Sequence, residues 1–315
     1  MRNPTEALNM PVSRPGIAYS ISASLLFALM PAYLQLLPPM AGFAVIGQRI
    51  IWTTLLIMAF LVASRGLGNA LLPLRIARNW PGLVAGSLLV GVQWGLFVWA
   101  PLNGETLGLA IGYFLIPLVL VLVGRLFLNE QLSRLQWVAA GFAGLGVLSA
   151  LVNTGHFSWV ALAVGCGYPL YYVLRRYQPI PVLSAFFLEN LLLLPLAWWA
   201  CVFYGDVDHP FAYSPDYLVL FLGVGALGSL GMLCLLSASR KLPMVLFGLL
   251  GYLEPPLLLL VAMVALGERV APGEELTFVM ISAAIAVLLL EGVLAMRRVN
   301  RAKALVSTSQ KHEGG

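Results

Sequence analysis

Charge is scarce in this chain. Only 10% of its 315 residues are charged, and it holds 13 acidic residues, three histidines and three cysteines. Each shortage excludes something. His156, His209 and His312 lie outside the deep parts of the apolar runs, and no HExxH pair, Walker-type phosphate loop or GxSxG elbow occurs. A zinc protease, an ATP-driven pump and a hydrolase of those designs are excluded, and no cofactor is expected. The string GVGALG at 223–228 has the form GxGxxG, but no strand precedes it and it sits inside an apolar run, so it is not a nucleotide fingerprint. Cys166, Cys201 and Cys234 are odd in number, show no CxxC spacing and fall on three separate predicted helices. They read as small core residues, and neither a disulfide framework nor a metal site is expected.

What fills the chain is apolar. Hydrophobic residues make up 60% of it, and the mean hydropathy is +0.91. No soluble core hides that much apolar surface, so lipid must solvate much of the chain. Ten runs have bilayer-crossing length: 16–37, 41–64, 80–100, 105–127, 133–152, 157–174, 181–204, 217–238, 244–266 and 276–296. About 20 helical residues at ~1.5 Å each cross a ~30 Å hydrocarbon core. The runs are continuous rather than alternating, which favours helices over a β-barrel. The expected fold is an all-α integral membrane protein. The first run is too long for a signal-peptide core and is expected to be retained.

Sixteen of the 18 Lys and Arg fall in the tails and in alternate gaps. They are Arg2 and Arg14; Arg65, Arg75 and Arg78; Arg125 and Arg134; Arg175 and Arg176; Arg240 and Lys241; and Arg297, Arg298, Arg301, Lys303 and Lys311. The other gaps hold Glu105, Asp206, Asp208, Glu268, Glu274 and Glu275, with Arg269 the exception. The positive-inside rule then places both termini of the multi-pass chain in the cytoplasm. The basic residues are spread over six segments, so nucleic acid is not an expected partner. The bilayer is.

The runs divide five and five, into 16–152 and 157–296, between a cytoplasmic N-tail at 1–15 and a disordered cytoplasmic C-tail at 297–315. The fourth run contains GYFLIPLV from Gly112 and the ninth GYLEPPLL from Gly251. Aligning Pro117 with Pro255 brings Glu130 onto Glu268, an offset of 138 residues. An odd number of spans per half inverts the second copy. The expected architecture is thus ten transmembrane helices as two inverted five-helix repeats, with a substrate site at their interface. Pro117 and Pro255 each remove a helical hydrogen bond and are candidate hinges, or simply shape the packing.

Three formal charges lie well inside runs: Arg49, Glu189 and Glu254. Facing lipid would cost each several kcal/mol, so each is expected to face the bundle interior. Gln48-Arg49 and Glu189-Asn190 are counterparts in the inverted repeat, and Glu254 lies near mid-membrane. One cation meets two carboxylates. Arg49 neutralises one acid, and the second is left to take a proton or a cationic group. The alternative is a buried Arg–Glu pair that locks two helices. Gln93, Trp94 and Tyr113, and Tyr252 on the ninth run, could line a cavity or simply pack. Glycine pairs such as Gly82/Gly86, Gly141/Gly144 and the 223–231 cluster are expected to permit close helix contact.

The run Arg49-Ile50-Ile51-Trp52, LFVWAPLNG at 96–104, GYFLIPLV at 112–119 and LFLNEQLSRLQWVA at 126–139 recur with further strings. These are LYYVLRR at 170–176, LENLLLLPLA at 188–197 and SRKLPMVLFGLLGYLEP at 239–255. In this order and spacing, over residues 16–296, the chain resembles the drug/metabolite transporter superfamily, in its EamA branch and more closely the RarD-type proteins. The resemblance implies a 5+5 inverted bundle, a central cavity and alternating access in the cytoplasmic (inner) membrane. RarD-type proteins carry a chloramphenicol-related label. Ile116 and Leu120 stand where the family has polar, Asn-like residues, and Glu254 where an apolar residue is common.

The function expected from the sequence is secondary active transport of a small metabolite or drug-like solute, proton-coupled, by a monomer or homodimer and without enzymatic activity. The alternatives are a non-transporting assembly partner or sensor, and then a channel.

Overall fold

The first helix starts at a side-chain cap. Ser13 accepts from the Gly16 N–H at 3.3 Å, and a proline occupies the first turn behind it, so α1 runs Arg14–Leu34. A computed structural model describes residues 13–154, 158–204, 215–265, 275–291 and 294. The rest of both tails lies outside the described residues, as do Asp206, Asp208, Glu268, Arg269 and Glu274.

Helices then follow in order: α2 Gly42–Ala63, α4 Trp80–Leu102, α5 Thr106–Leu126, α6 Arg134–Thr154, α7 Trp159–Tyr177, α8 Val182–Tyr204 and α9 Pro215–Lys241. A short α3, Leu67–Leu71, and two 3₁₀ turns occupy the gap before α4. The ninth apolar run forms two helices, α10 Met244–Gly251 and α11 Glu254–Ala265, and 275–291 forms α12. No strand occurs among the described residues.

Among the described residues, six helices are long and apolar enough to cross a membrane: those of α1, α2, α4, α5, α8 and α9. The ninth run falls short because it is broken. Pro255 and Pro256 both lack an N–H, so the carbonyls of Gly251 and Tyr252 lose their α-helical donors. Tyr252 and Leu253 close the gap with tight bonds to Leu249 O (3.2 Å) and Leu250 O (3.0 Å). Pro117, standing alone, leaves α5 whole.

The bundle core is built from α1 on α9, α2 on α8 and α9, α4 on α7 and α8, and α5 on α7 and α10. A second apolar cluster joins α5, α6, α10 and α12 through Val121, Ala139, Leu249 and Ile281. Gly225 lets α9 meet α2: an added Cβ would lie 2.7 Å from Trp52 Cβ and 3.0 Å from the Thr53 backbone nitrogen. The Thr53 hydroxyl donates to Gly225 O at 3.2 Å across that contact. Gly95, Gly141 and Gly144 behave otherwise, meeting nothing within 4 Å. A glycine marks a close crossing only where a neighbouring helix passes it.

Candidate functional site

Arg49 and Glu254 sit at two edges of one aromatic wall. Arg49 projects from α2, its guanidinium carbon 4.6 Å from the centre of the Trp94 ring on α4. Gly228 on α9 makes room for it: a Cβ there would lie 2.6 Å from Arg49 Nε. The wall continues from Phe97 on α4 to Tyr113 on α5 (ring centres 6.3 Å apart), then to Tyr168 (6.0 Å) and Tyr172 (6.1 Å) on α7. Phe247 on α10 closes it, edge-on to Tyr172 at 5.2 Å.

Tyr113 and Tyr168 lie within electrostatic reach of each other and of both charges. Glu254 also reaches Tyr172. Glu254 is the first residue of α11, followed by Pro255 and Pro256, which carry no N–H to hold its carboxylate. Arg49, Tyr113 and Glu254 are half-buried, each keeping some accessible surface although helices surround them. Among the described residues neither Arg49 nor Glu254 makes an ion pair, and Glu254 makes no hydrogen bond. Two opposite charges thus face the bundle interior without neutralising each other.

Glu189 is elsewhere. It is fully buried, its Oε1 is 3.5 Å from Arg175 Nη1, and its Oε2 accepts from the Tyr171 hydroxyl at 2.7 Å. Gly82 and Gly86 on α4 leave the space that Gln178 and Glu189 fill. Arg175 also donates to Gln178, and Arg240 donates to Arg175 O at 2.6 Å and to Gln178 O at 3.1 Å. Arg175 therefore belongs to the bundle interior and not to a solvated gap: α7 continues to Tyr177 and buries it to 1% exposure.

The remaining candidates bind their neighbours. Gln48 accepts from Trp52 Nε1 at 3.1 Å, beside Arg49 on α2. Gln93 donates to Ala163 O at 3.1 Å and ties α4 to α7, leaving its own oxygen without a partner. Asn190 donates to Phe186 O at 2.8 Å within α8. Tyr252 is fully buried and donates to Phe114 O at 3.0 Å, which fastens the end of α10 to α5 beside Pro117. Arg49, Trp94, Tyr113 and Glu254 thus come together. Glu189, Asn190, Gln93 and Tyr252 stand apart from them.

Sequence reasoning missed Tyr168, Tyr172 and Arg175. Their spacing, with Tyr171, is that of one helical face (168, 171, 172, 175) and was the available signal.

The membrane-length helices among the described residues define an integral membrane protein. The chain is 40% identical over 279 residues to the chloramphenicol-sensitive protein RarD of Pseudomonas aeruginosa, covering 85% of this chain and 91% of that protein. It is 33% identical over 293 residues to an uncharacterized transporter of Pasteurella multocida, covering 90% and 98%. To protein RarD of Salmonella typhimurium it is 28% identical over 290 residues, covering 91% and 98%. This chain belongs to the RarD family of membrane transporters. No protein-family model matches it. One crystal structure of a protein superposes with a TM-score of 0.66 at 19% identity, over 87% of this chain and 97% of that one, a likeness of fold alone.

Proposed function

We propose that this protein is a secondary active transporter, proton-coupled, that moves a small metabolite or drug-like solute across the cytoplasmic membrane by alternating access. The observation that carries the reading is the pair of unpaired charges, Arg49 and Glu254, on one aromatic wall. A solute with an apolar body and a polar or anionic group fits there: rings take the body, and Arg49 takes the group. Glu254 is the proton carrier, since a carboxylate without a partner in a low-dielectric site gains from taking up a proton.

The fold we propose is ten helices in two inverted five-helix repeats, 16–152 and 157–296, with both termini cytoplasmic. The packing supports it. Exchanging the halves turns α1 on α9 into α7 on α4, α2 on α9 into α8 on α4, and α5 on α7 into α10–α11 on α1. Each of these pairs is in contact, and α2 on α8 and α5 on α10 map onto themselves. Pro117 lies against Gly248 and Gly251 of α10 at that second self-mapping crossing, and Pro117 and Pro255 serve as the hinges.

The test is uptake by proteoliposomes holding purified protein, with and without an imposed pH gradient, against a panel of antibiotics, amino acids and other metabolites. A solute accumulated by the wild type only under the gradient, and by Glu254→Gln regardless of it only to equilibration, is the expected result. No gradient-dependent flux of any solute would refute the reading.

A further inference from the structure

The turn after α5 reaches across to the start of α10. Asn129 takes the left-handed conformation (φ 53°), and the Glu130 N–H returns to Gly124 O at 2.9 Å, which closes the turn after α5. That turn aims the Glu130 side chain at α10. Its two oxygens accept the N–H groups of Met244 (2.7 Å) and Val245 (2.8 Å), two of the donors a helix start leaves without intrahelical partners. The carboxylate is 6% exposed. Arg176 at the end of α7 stands 3.9 Å from Glu130 and donates to Ser239 O (3.2 Å) and Leu242 O (3.0 Å), on the α9–α10 turn. Gly124 lets the two backbones approach: a Cβ there would lie 3.0 Å from the Val245 nitrogen.

α10 is thus a half-helix of eight residues held at both ends on α5. Glu130 holds its first turn and the Tyr252 hydroxyl its last. Two residues beyond Tyr252 stands Glu254. The α5–α6 and α9–α10 turns lie on one face of the bundle, the face where the basic residues place the cytoplasm.

We infer that Glu130 is a positioning residue for transport: its carboxylate latches α10 shut against α5 on the cytoplasmic face, and it must release the Met244 and Val245 N–H groups for the site to open there. The inference rests on the carrier reading. Releasing the latch frees α10 to pivot about the Tyr252–Leu253 break and carries Glu254 from one exposure to the other.

Solute-free cysteine labelling tests this separately from transport. The purified full chain would have Cys166, Cys201 and Cys234 replaced by alanine and carry either V245C or A185C. Both positions are buried, the first under the latch and the second in α8. Glu130→Gln keeps the shape of the side chain but leaves one neutral acceptor in place of two charged ones, with its amide NH2 set against the other N–H, so N-ethylmaleimide labelling at 245 should quicken roughly tenfold while labelling at 185 stays unchanged. Arg176→Gln should quicken it at 245 in the same direction, and decides the matter if Glu130→Gln does not fold. An unchanged rate at 245, or an equal rise at both positions, overturns the latch. Labelling at 245 that rises as expected while no solute is ever transported would instead leave the moving half-helix in place and sink the carrier reading.

Discussion

The Arg175 guanidinium lies 3.5 Å from the Glu189 carboxylate, and both side chains are sealed from their surroundings, at 2% and 0% exposure. A pair so placed is a joint between α7 and α8. Tyr171 takes the second oxygen and Arg240 ties the backbone behind it to α9. Removing one partner leaves a buried charge alone, so Arg175→Leu or Glu189→Ala should each cost about 3–5 kcal/mol. The double replacement Arg175→Met with Glu189→Leu should recover most of that loss. Thermal unfolding of the four purified proteins checks it, and a double variant no better than the singles would contradict it.

Tyr252 makes a smaller contribution of a different kind. Its hydroxyl donates to Phe114 O at 3.0 Å, and its ring is packed among Val245, Leu249 and other members of the second apolar cluster. Tyr252→Phe keeps the ring and loses one neutral bond, so destabilisation should be about 1 kcal/mol. Solute affinity in the same preparation should not change, because the hydroxyl faces α5 and not the aromatic wall. A tenfold loss of affinity would place Tyr252 in the site after all.

Much of this arrangement is legible in the sequence, and what is not has definable causes. Arg49 and Glu254 stand out because a charge within an apolar run is rare. Glu189 stands out equally, but its partner does not. Arg175 follows the last apolar residue of its run and counts as one more basic residue of a gap. Only the fold shows that α7 continues to Tyr177 and turns Arg175 inward toward α8. The break in the ninth run has a similar character. A single proline suggests a kink, as at Pro117, and it is the second proline at 256 that removes a consecutive donor and splits the helix. Glu130 lies in a short polar turn, where a carboxylate has no visible partner until α10, more than a hundred residues later, arrives beside it.

The glycines separate into two groups with opposite responses to substitution. At Gly225 a methyl group would meet the backbone of Trp52 and Thr53 at 2.9 and 3.0 Å, and a backbone in a packed helix cannot yield. Gly225→Ala should destabilise by about 1–3 kcal/mol. Gly141 faces open space, so Gly141→Ala removes only the flexibility of a helical glycine and should stabilise by up to about 1 kcal/mol. Melting temperatures of the two variants moving in the same direction would show the α2–α9 contact to be looser than described.

Arg49 reverses the logic of Arg175. It has no ion pair among the described residues and its main contact is the face of Trp94 at 4.6 Å. Taking it away leaves no carboxylate stranded, so Arg49→Ala should change stability by no more than about 1 kcal/mol, the worth of an arginine on an aromatic face. A solute that uses the guanidinium should nevertheless lose binding by a factor of ten or more, since a charge-assisted bond in a low-dielectric site is worth well over the ~1.4 kcal/mol of one decade. Arg49→Lys keeps the charge but not the paired donors or the flat stack on Trp94, so it should restore both stability and affinity only in part. Ligand-dependent shifts in thermal unfolding report both quantities in one experiment. If Arg49→Ala instead unfolds the protein as readily as Arg175→Leu, Arg49 is a structural residue, and the solute site must be sought along the tyrosines and Glu254 alone.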